Sequence, residues 1–406
     1  MKILHTADWH IGKKLHNYEL TKDFELFINW LCTCLEENKI DVLLISGDIF
    51  DLANPSSAAR KQYYKTLVQL KKHVKHIILT GGNHDSPAVL NAPKELMKAL
   101  NLEVIGGLPK NIENCLIPIK NEKGKIEVVI AAIPFLRNPD LRKEGITIKT
   151  QEDRLSAMRA GIAEVFKRAE NACKELHPEI PAIAMGHLFA AGASTSESER
   201  DIQIGNQAAV KSTVFGEYFK YIALGHIHKP QQVLGFQPVF YSGSPISLSF
   251  SERKDQKRVL IIDTEKGFNP KSVVIPSFRK LIKISGNLEE ISQKLHELPK
   301  NEELENLIEI ELKEEEYQIK HIQDLEDLIH SFEKEGYQIV KHRASFEKNL
   351  KLSGEIFEKH INLEELKPEN VFEERLELED FSEQEKEEIN SAFQELLEEI
   401  YQQENL

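Results

Sequence analysis

Seven side chains able to hold a metal stand where short apolar runs end. They are Asp8 and His10 in "TADWH", Asp48 in "LLISGD", Asn83 in "LTGGNHD", His187 in "IAMGH", and His226 and His228 in "LGHIH". Each is weak when taken singly: a histidine after a strand often only completes a hydrogen bond, and Gly-Asp often only makes a turn. Their joint occurrence at five separate strand ends is a different matter. His-x-His sets two imidazoles on one side of an extended segment, and Asp-x-His does the same for a carboxylate and an imidazole. One ion takes about four to six ligands, water included, so seven ligands suit two ions that share a bridge. Asp48, with two carboxylate oxygens, is the natural bridge. Nitrogen and oxygen ligation without sulfur suits Mn, Fe or Zn better than Ca or Cu(I). Two such ions ~3.5–4 Å apart clamp a phosphate, make hydroxide available near neutral pH and stabilise both the attacking and the leaving oxygen.

His84 and Asp85 follow Asn83 directly. Asn83 can ligate through its carbonyl oxygen without adding charge. His84, pointing elsewhere, is then placed to donate a hydrogen bond or a proton to a leaving oxygen. Asp85 has two readings: it accepts from the other ring nitrogen of His84 and fixes the tautomer, or it caps a helix over residues 87–99.

These groups need strands to carry them. Strand-like runs occur at 2–8, 41–48, 76–83, 127–134, 182–188, 221–227, 238–244 and 258–264. Most are short and almost continuously apolar, as strands covered on both faces are. Helical periodicity fills residues 19–38, where Leu20, Phe24, Phe27, Leu31 and Leu35 form one stripe, and also 56–73 and 152–176. The first part alternates β and α as a layered α/β domain does, and strand C-termini converge on the ligand crevice in such folds. The later strands follow one another with fewer helices, which predicts a mixed sheet or two packed sheets. Near residue 276 a new unit begins, with strand, helix, strand, helix and strand over 280–346. Beyond about residue 350 the chain turns helical and acidic. Ser382 and Glu385 make a capping-box pattern, and Ile389, Phe393, Leu396, Leu397 and Ile400 form one apolar face. That face either docks on the chain's own body or enters a groove in a partner protein. The division expected is 1–276, 277–350 and 351–406.

The formal net charge of -14 at first argues against nucleic acid, but residues 371–406 hold 13 acidic and two basic residues. The rest is close to balanced, and an acidic tail says little about a cleft elsewhere. No apolar stretch approaches the ~20 residues of a membrane span, and the N-terminus becomes polar too soon for a signal peptide. Cys32, Cys34, Cys115 and Cys173 are few and scattered, which fits reduced thiols in a reducing cytoplasm. Lys13, Lys14, Arg60, Lys61, Arg253 and Lys254 lie in loops after the ligand strands and could neutralise phosphates. Their alternative is ordinary solvated charge. The serine-rich "GASTSESERD" (192–201) reads as a surface loop near His187.

Asp-x-His, Gly-Asp, Gly-Asn-His-Asp, Gly-His and Gly-His-x-His, in that order, resemble the calcineurin-like metallophosphoesterase superfamily. "HTADWHIGKKL", "ISGDIFDLANPS", "LTGGNHDSP", "ALGHIHKPQ" and "YSGSPISLSFSE" resemble its DNA-repair nuclease subunits over nearly the whole chain. The resemblance implies an α/β fold built as a two-sheet β-sandwich flanked by helices, with a small α+β capping domain and C-terminal helices. It also implies one ion on Asp8, His10, Asp48 and His228, another on Asp48, Asn83, His187 and His226, and His84 acting on the phosphate. The implied activity is manganese-dependent double-strand exonuclease and single-strand and hairpin endonuclease action on DNA, beside a coiled-coil ATPase subunit. This chain has no G-x-x-x-x-G-K-[ST] loop, so ATP dependence would come from that partner, gripped by the helices at roughly 368–402. A homodimer within the complex is expected too. Two rivals stand: a phosphodiesterase or phosphomonoesterase for small nucleotides on the same fold, and a scaffold that has lost catalysis.

Overall fold

A computed structural model describes residues 1–141, 150–195, 199, 209–298, 303–314 and 319–346, with Lys386, Ile389 and Phe393 in the tail. The strands in chain order are β1 (Lys2–Thr6), β2 (Lys14–Leu15), β3 (Tyr18–Glu19), β4 (Val42–Ser46), β5 (His76–Thr80), β6 (Leu102–Ile105), β7 (Leu116–Lys120), β8 (Ile126–Ala132), β9 (Ala182–His187), β10 (Tyr221–Gly225), β11 (Gln231–Val233), β12 (Val239–Tyr241), β13 (Arg258–Asp263), β14 (Pro270–Val274), β15 (Leu281–Gly286), β16 (Asn306–Glu314) and β17 (Tyr337–Phe346). The main helices are α1 (Thr21–Asn38), α2 (Ser57–Leu70), α3 (Pro87–Asn91), α4 (Lys94–Lys98), α5 (Asn138–Leu141), α6 (Gln151–Leu176), α7 (Leu288–His296) and α8 (Ile319–Ser331).

Contacts divide the chain into two compact units. The first holds Met1–Ile282, Lys300–Leu307 and Glu335–Val340. Two six-stranded sheets build it, ordered β14-β13-β1-β4-β5-β6 and β11-β12-β10-β9-β8-β7. In the first sheet β1, β4, β5 and β6 run parallel, and β13 and β14 are antiparallel. In the second, β8, β9, β10 and β12 run parallel, with antiparallel β7 and β11 at the edges. The period of two sorts the apolar runs onto two faces. Ile3, Val42, Leu44 and Ile78 enter the core shared with the second sheet, while Leu4, Leu43, Ile45, Ile77 and Leu79 pack under α1 and α2. Double coverage is why these strands show no polar alternation. A Leu44→Ala cavity in such a core costs about 2–5 kcal/mol.

The predicted stripe of α1 is buried throughout, and the helix ends at Lys39 in the left-handed region (φ 54). Ser56 caps α2 by accepting from Ala59 N at 3.1 Å. The helix expected over 87–99 is two short helices, α3 and α4, with Pro93 between them; proline cannot continue the hydrogen bonding of α3. Four short strands, β6, β7, β11 and β14, and the β2–β3 hairpin were not legible in the sequence.

The second unit holds Lys283–Pro299, Ile308–Lys334 and the chain from Lys341. Its elements follow the expected strand, helix, strand, helix, strand order, with a three-stranded sheet β15-β16-β17. Asn287 caps α7 by accepting from Glu290 N at 2.9 Å. Ile291, Leu295, Ile308, Ile310, Leu312 and Leu325 are buried. The capping box at Ser382 and the apolar face that follows lie outside the described residues, apart from Ile389 and Phe393, which are helical. Among the described residues no helix is long and apolar enough to cross a membrane.

Candidate metal centre

The strands β1, β4, β5, β9 and β10 end at one place, and their last residues form it. Loop pairing continues the sheet past the strands: Asp8 N donates to Gly47 O at 3.1 Å, His10 N to Asp48 O at 3.0 Å and Ile11 N to Ile49 O at 2.9 Å. Asp8 (φ 53), His10 (φ 45), Asp48 (φ 46) and His226 (φ 102) all sit at positive φ. Such conformations cost about 1–3 kcal/mol each and persist only where the surroundings enforce them. Two glycines permit the close approach. A Cβ on Gly82 would lie 2.1 Å from Asp48 Oδ1, and one on Gly225 would lie 1.7 Å from Ser46 O.

All seven predicted ligands come together. Asp8, His10, Asp48, His187, His226 and His228 are buried, and Asn83 is half-buried. His10 Nε2 lies 3.1 Å from His228 Nε2 and 3.7 Å from Asp48 Oδ2. His187 Nε2 lies 2.9 Å from Asn83 Oδ1 and 3.3 Å from Asp48 Oδ2. Ligand atoms of Asp48, His187 and His226 fall within 4.8 Å of one another, as do those of His10, Asp48 and His84. Asp48 therefore belongs to both groups. Asp8 Oδ1 accepts from His226 N at 2.8 Å and lies 3.8 Å from His187 Nδ1.

The donor set fits divalent cations. Asp8 Oδ2 and His226 Nε2 are buried without a hydrogen-bond partner, a state that is costly unless another group meets them. Burial pushes the Asp8 carboxyl up to about 7, even against the charges of His187 and His228. Burial likewise pushes His10 down to about 4 and His226 well below its ordinary value. Burial would also raise Asp48, but the His187 charge and hydrogen bond outweigh it and hold that carboxyl low. His187, opposed by its own burial, is raised to about 9 by Asp48. Bound cations would relieve these tensions by taking the place of the protons that His187 and Asp8 hold.

His84 stands edge-on to His10, ring centroids 4.7 Å apart. Its backbone N donates to Asp48 Oδ1 at 2.9 Å, and its Nδ1 faces the carbonyl oxygen of Asp51 at 2.7 Å. That carbonyl only accepts, so it fixes the Nδ1–H tautomer. The expected role of Asp85 is corrected here. Its carboxylate accepts from the backbone N of Ile49 (3.0 Å), Phe50 (2.9 Å) and Gly82 (2.8 Å). It ties the loop after β4 to the loop after β5 rather than orienting His84. It caps no helix either, since Ser86 is the N-cap residue of α3. Burial and the neighbouring Asp48 charge push Asp85 up to about 6 despite the three amides.

Four residues about the centre were not foreseen. Asp51 Oδ1 meets His10 Nδ1 at 3.3 Å and Lys13 Nζ at 3.1 Å. Glu252 Oε1 lies 3.6 Å from His228 Nδ1, and Glu252 pairs with buried Lys257. Arg137 donates from one terminal nitrogen to Asp85 O at 2.6 Å and Gly82 O at 3.4 Å, bracing the turn that carries Asn83 and His84. Asp51, three residues after Asp48, was the one with a sequence signal. The others depend on long-range packing.

The basic residues expected to meet phosphate divide. Lys13 is engaged by Asp51 and Lys14 pairs with Glu19. Arg60 donates to Pro55 O and Asn54 Oδ1, and Arg253 to Phe250 O. Lys61 and Lys254 are exposed. In the serine-rich segment, Ser194 and Thr195 are exposed, and the Glu199 carboxylate accepts from His228 N at 2.8 Å. Cys32, Cys34, Cys115 and Cys173 are free and buried.

Comparison with known proteins agrees with this geometry. Residues 1–230 match the model for calcineurin-like phosphoesterases, and residues 277–380 match one described as the type 5 capsule protein repressor C-terminal domain. The SbcD component of the SbcCD nuclease of Escherichia coli K12 is 31% identical over 404 residues, 97% of either chain. Its counterpart in Rhodobacter capsulatus is 36% identical over 289 residues, 68% of this chain and 69% of that one. The Bacillus subtilis counterpart is 29% identical over 288 residues, 70% and 72% of the two chains.

Proposed function

This chain belongs to the calcineurin-like phosphoesterase family, in its SbcD group, and from that footing we propose that it is the dimetal-dependent DNA nuclease subunit of an SbcCD-type complex. It acts in DNA repair and recombination as a double-strand exonuclease and a single-strand and hairpin endonuclease. The observation that carries this reading is the pair of buried ligand groups joined at Asp48.

Asp8, His10, Asp48 and His228 hold one divalent ion and Asp48, Asn83, His187 and His226 the other, with Mn2+ as the working metal. When bound, the ions polarise the phosphodiester and supply the nucleophile at neutral pH. The chain's own residues do the rest. Asp8 and Asp48 supply the negative charge, and Asn83 adds a neutral oxygen. His84, its Nδ1 proton held by the Asp51 carbonyl, presents the Nε2 edge to the phosphate; as the imidazolium, protonated on both nitrogens, it would pass the Nε2 proton to the leaving oxygen and return to the Nδ1–H form. Asp85 and Arg137 keep the Asn83–His84 turn in place.

Three assignments complete the reading. Residues 1–276 form the nuclease domain, 277–350 the capping domain and 351–406 the partner-binding segment. The last grips an SbcC-like ATPase in the cytoplasm. A homodimer of this chain within the complex is part of the same reading. Removing the chain after about residue 365 abolishes capture of the SbcC-like partner in a pull-down while the metal-dependent core keeps its thermal transition; normal capture refutes the assignment.

The test of the activity is incubation of the Mn2+-loaded protein, with its partner, on linear duplex DNA and on bis-p-nitrophenyl phosphate. Cleavage of the duplex is expected. Rapid turnover of the small ester with intact DNA would support the small-nucleotide phosphodiesterase instead.

A further inference from the structure

This inference rests on the dimetal reading and concerns how the two halves of the centre differ. Behind His10 stands a carboxylate and behind the carboxylate a lysine: His10 Nδ1 to Asp51 Oδ1 at 3.3 Å, Asp51 Oδ1 to Lys13 Nζ at 3.1 Å. The same chain recurs behind His228, reached from a distant part of the sequence. His228 Nδ1 faces Glu252 Oε1 at 3.6 Å, and Lys257 Nζ donates to Glu252 Oε2. Glu252 is fully buried, and its Oε2 also accepts from Ser244 Oγ and Leu248 N at 3.3 Å each. Lys257 Nζ further donates to the carbonyl of His228 itself at 3.2 Å. The carboxylate and the lysine are therefore braced on the residue they serve.

An ionised carboxylate only accepts hydrogen bonds. Each Nδ1 that faces one carries the proton, and each Nε2 carries a lone pair. The two Nε2 atoms stand 3.1 Å apart, so two lone pairs converge on one point. That spacing suits neighbouring ligands on one ion bound at ~2.1 Å. The other half is built differently. His187 Nδ1 rests on the Ser46 carbonyl at 3.0 Å, a neutral acceptor, with Asp8 Oδ1 farther off at 3.8 Å. A carboxylate behind a ligating imidazole fixes the ring and raises its basicity more than a carbonyl does.

We propose that Asp51 with Lys13 and Glu252 with Lys257 are positioning pairs for His10 and His228, and that they make this half of the centre the tighter ion site. The His187, His226 and Asn83 half takes its ion second and releases it first.

The experiment is Mn2+ titration of the metal-stripped full chain, with free ion followed by electron paramagnetic resonance and folding by thermal unfolding. Two binding steps are expected for the unaltered chain. Asp51→Asn and Glu252→Gln should each weaken the tighter step by ~10–100-fold and leave the weaker step within about twofold. Glu252→Gln leaves Lys257 buried without its counter-charge. The Glu252→Gln/Lys257→Met pair is therefore measured alongside, and the same weakening is expected at an unaltered unfolding temperature. Unchanged affinity in Asp51→Asn or in the double variant overturns the proposal. So does equal weakening of both steps, which marks a merely structural role. An unaltered chain that binds fewer than two ions overturns the dimetal reading itself, and the proposal with it.

Discussion

The two six-stranded sheets are built alike and contribute unlike chemistry. Each contains four neighbouring parallel strands, and the C-terminal ends of β1, β4 and β5 in the first and of β9 and β10 in the second carry the cluster. The first sheet delivers Asp8, His10, Asp48, Asn83 and His84, and so both carboxylates of the proposed ligand set. The second delivers only imidazoles: His187, His226 and His228. Each half of the centre draws on both sheets, His10 meeting His228 and Asn83 meeting His187 at 3.1 and 2.9 Å. In the proposed assignment the first sheet supplies the charge and the second the remaining imidazoles, so each ion would take ligands from both sheets. Ser46 Oγ to Ala223 O (3.1 Å) and His5 Nδ1 to Tyr221 OH (2.9 Å) stitch the sheets just behind the centre.

The sharpest way to break this comparison is Asp48→Asn. It removes the one carboxylate common to both halves. Mn2+ stoichiometry should fall below two by metal analysis, and DNA cleavage should fall further than the ~10²–10⁴-fold that loss of an acid catalyst costs. Two ions bound by this variant would show that the halves are independent.

His84→Ala comes next. It leaves the ligands in place, so Mn2+ stoichiometry should be retained while kcat drops by ~10²–10⁴-fold. Unchanged turnover removes the acid role.

A smaller effect separates the sheets by charge. In the ion-free chain the first sheet's Asp8 holds its proton up to about 7 and the second sheet's His187 up to about 9. Ions must displace these protons. Apparent Mn2+ affinity should therefore rise from about pH 6 to about pH 8, with proton release measurable in weakly buffered solution. Affinity flat across that window contradicts the assignment.

The smallest effect tests the stitching. Tyr221→Phe removes the hydroxyl that meets His5 and should cost about 1–3 kcal/mol in denaturant unfolding, with Mn2+ binding unaltered. Loss of an ion would mean that this contact also shapes the centre.

Much of the centre was legible because ligand chemistry is local to strand ends. Asp8, His10, Asp48, Asn83, His187, His226 and His228 each follow an apolar run, and five such runs announce a shared pocket before any fold is known. The supporting residues were not legible for the opposite reason. Glu252 and Lys257 lie in a segment without regular periodicity, and their partner His228 is more than 20 residues away. Asp85 misled because its neighbour in the chain is His84, whereas its carboxylate turns to the amides of Ile49 and Phe50. Of the edge strands, β11 has only three residues, and in β7 and β14 proline and polar residues (Pro118, Lys120; Pro270, Lys271, Ser272) interrupt the apolar run.

The amino-acid order by itself determined the inventory: apolar runs that must be covered on both faces, a stripe that makes α1 a helix, and ligands at the ends of particular strands. Only the packing of the two sheets decided that His10 faces His228, that Asn83 faces His187 and that Asp48 stands between the two groups. Side-chain type and strand period are properties of neighbours in sequence. Distances between groups more than two hundred residues apart are set by how two twisted sheets settle on a common core.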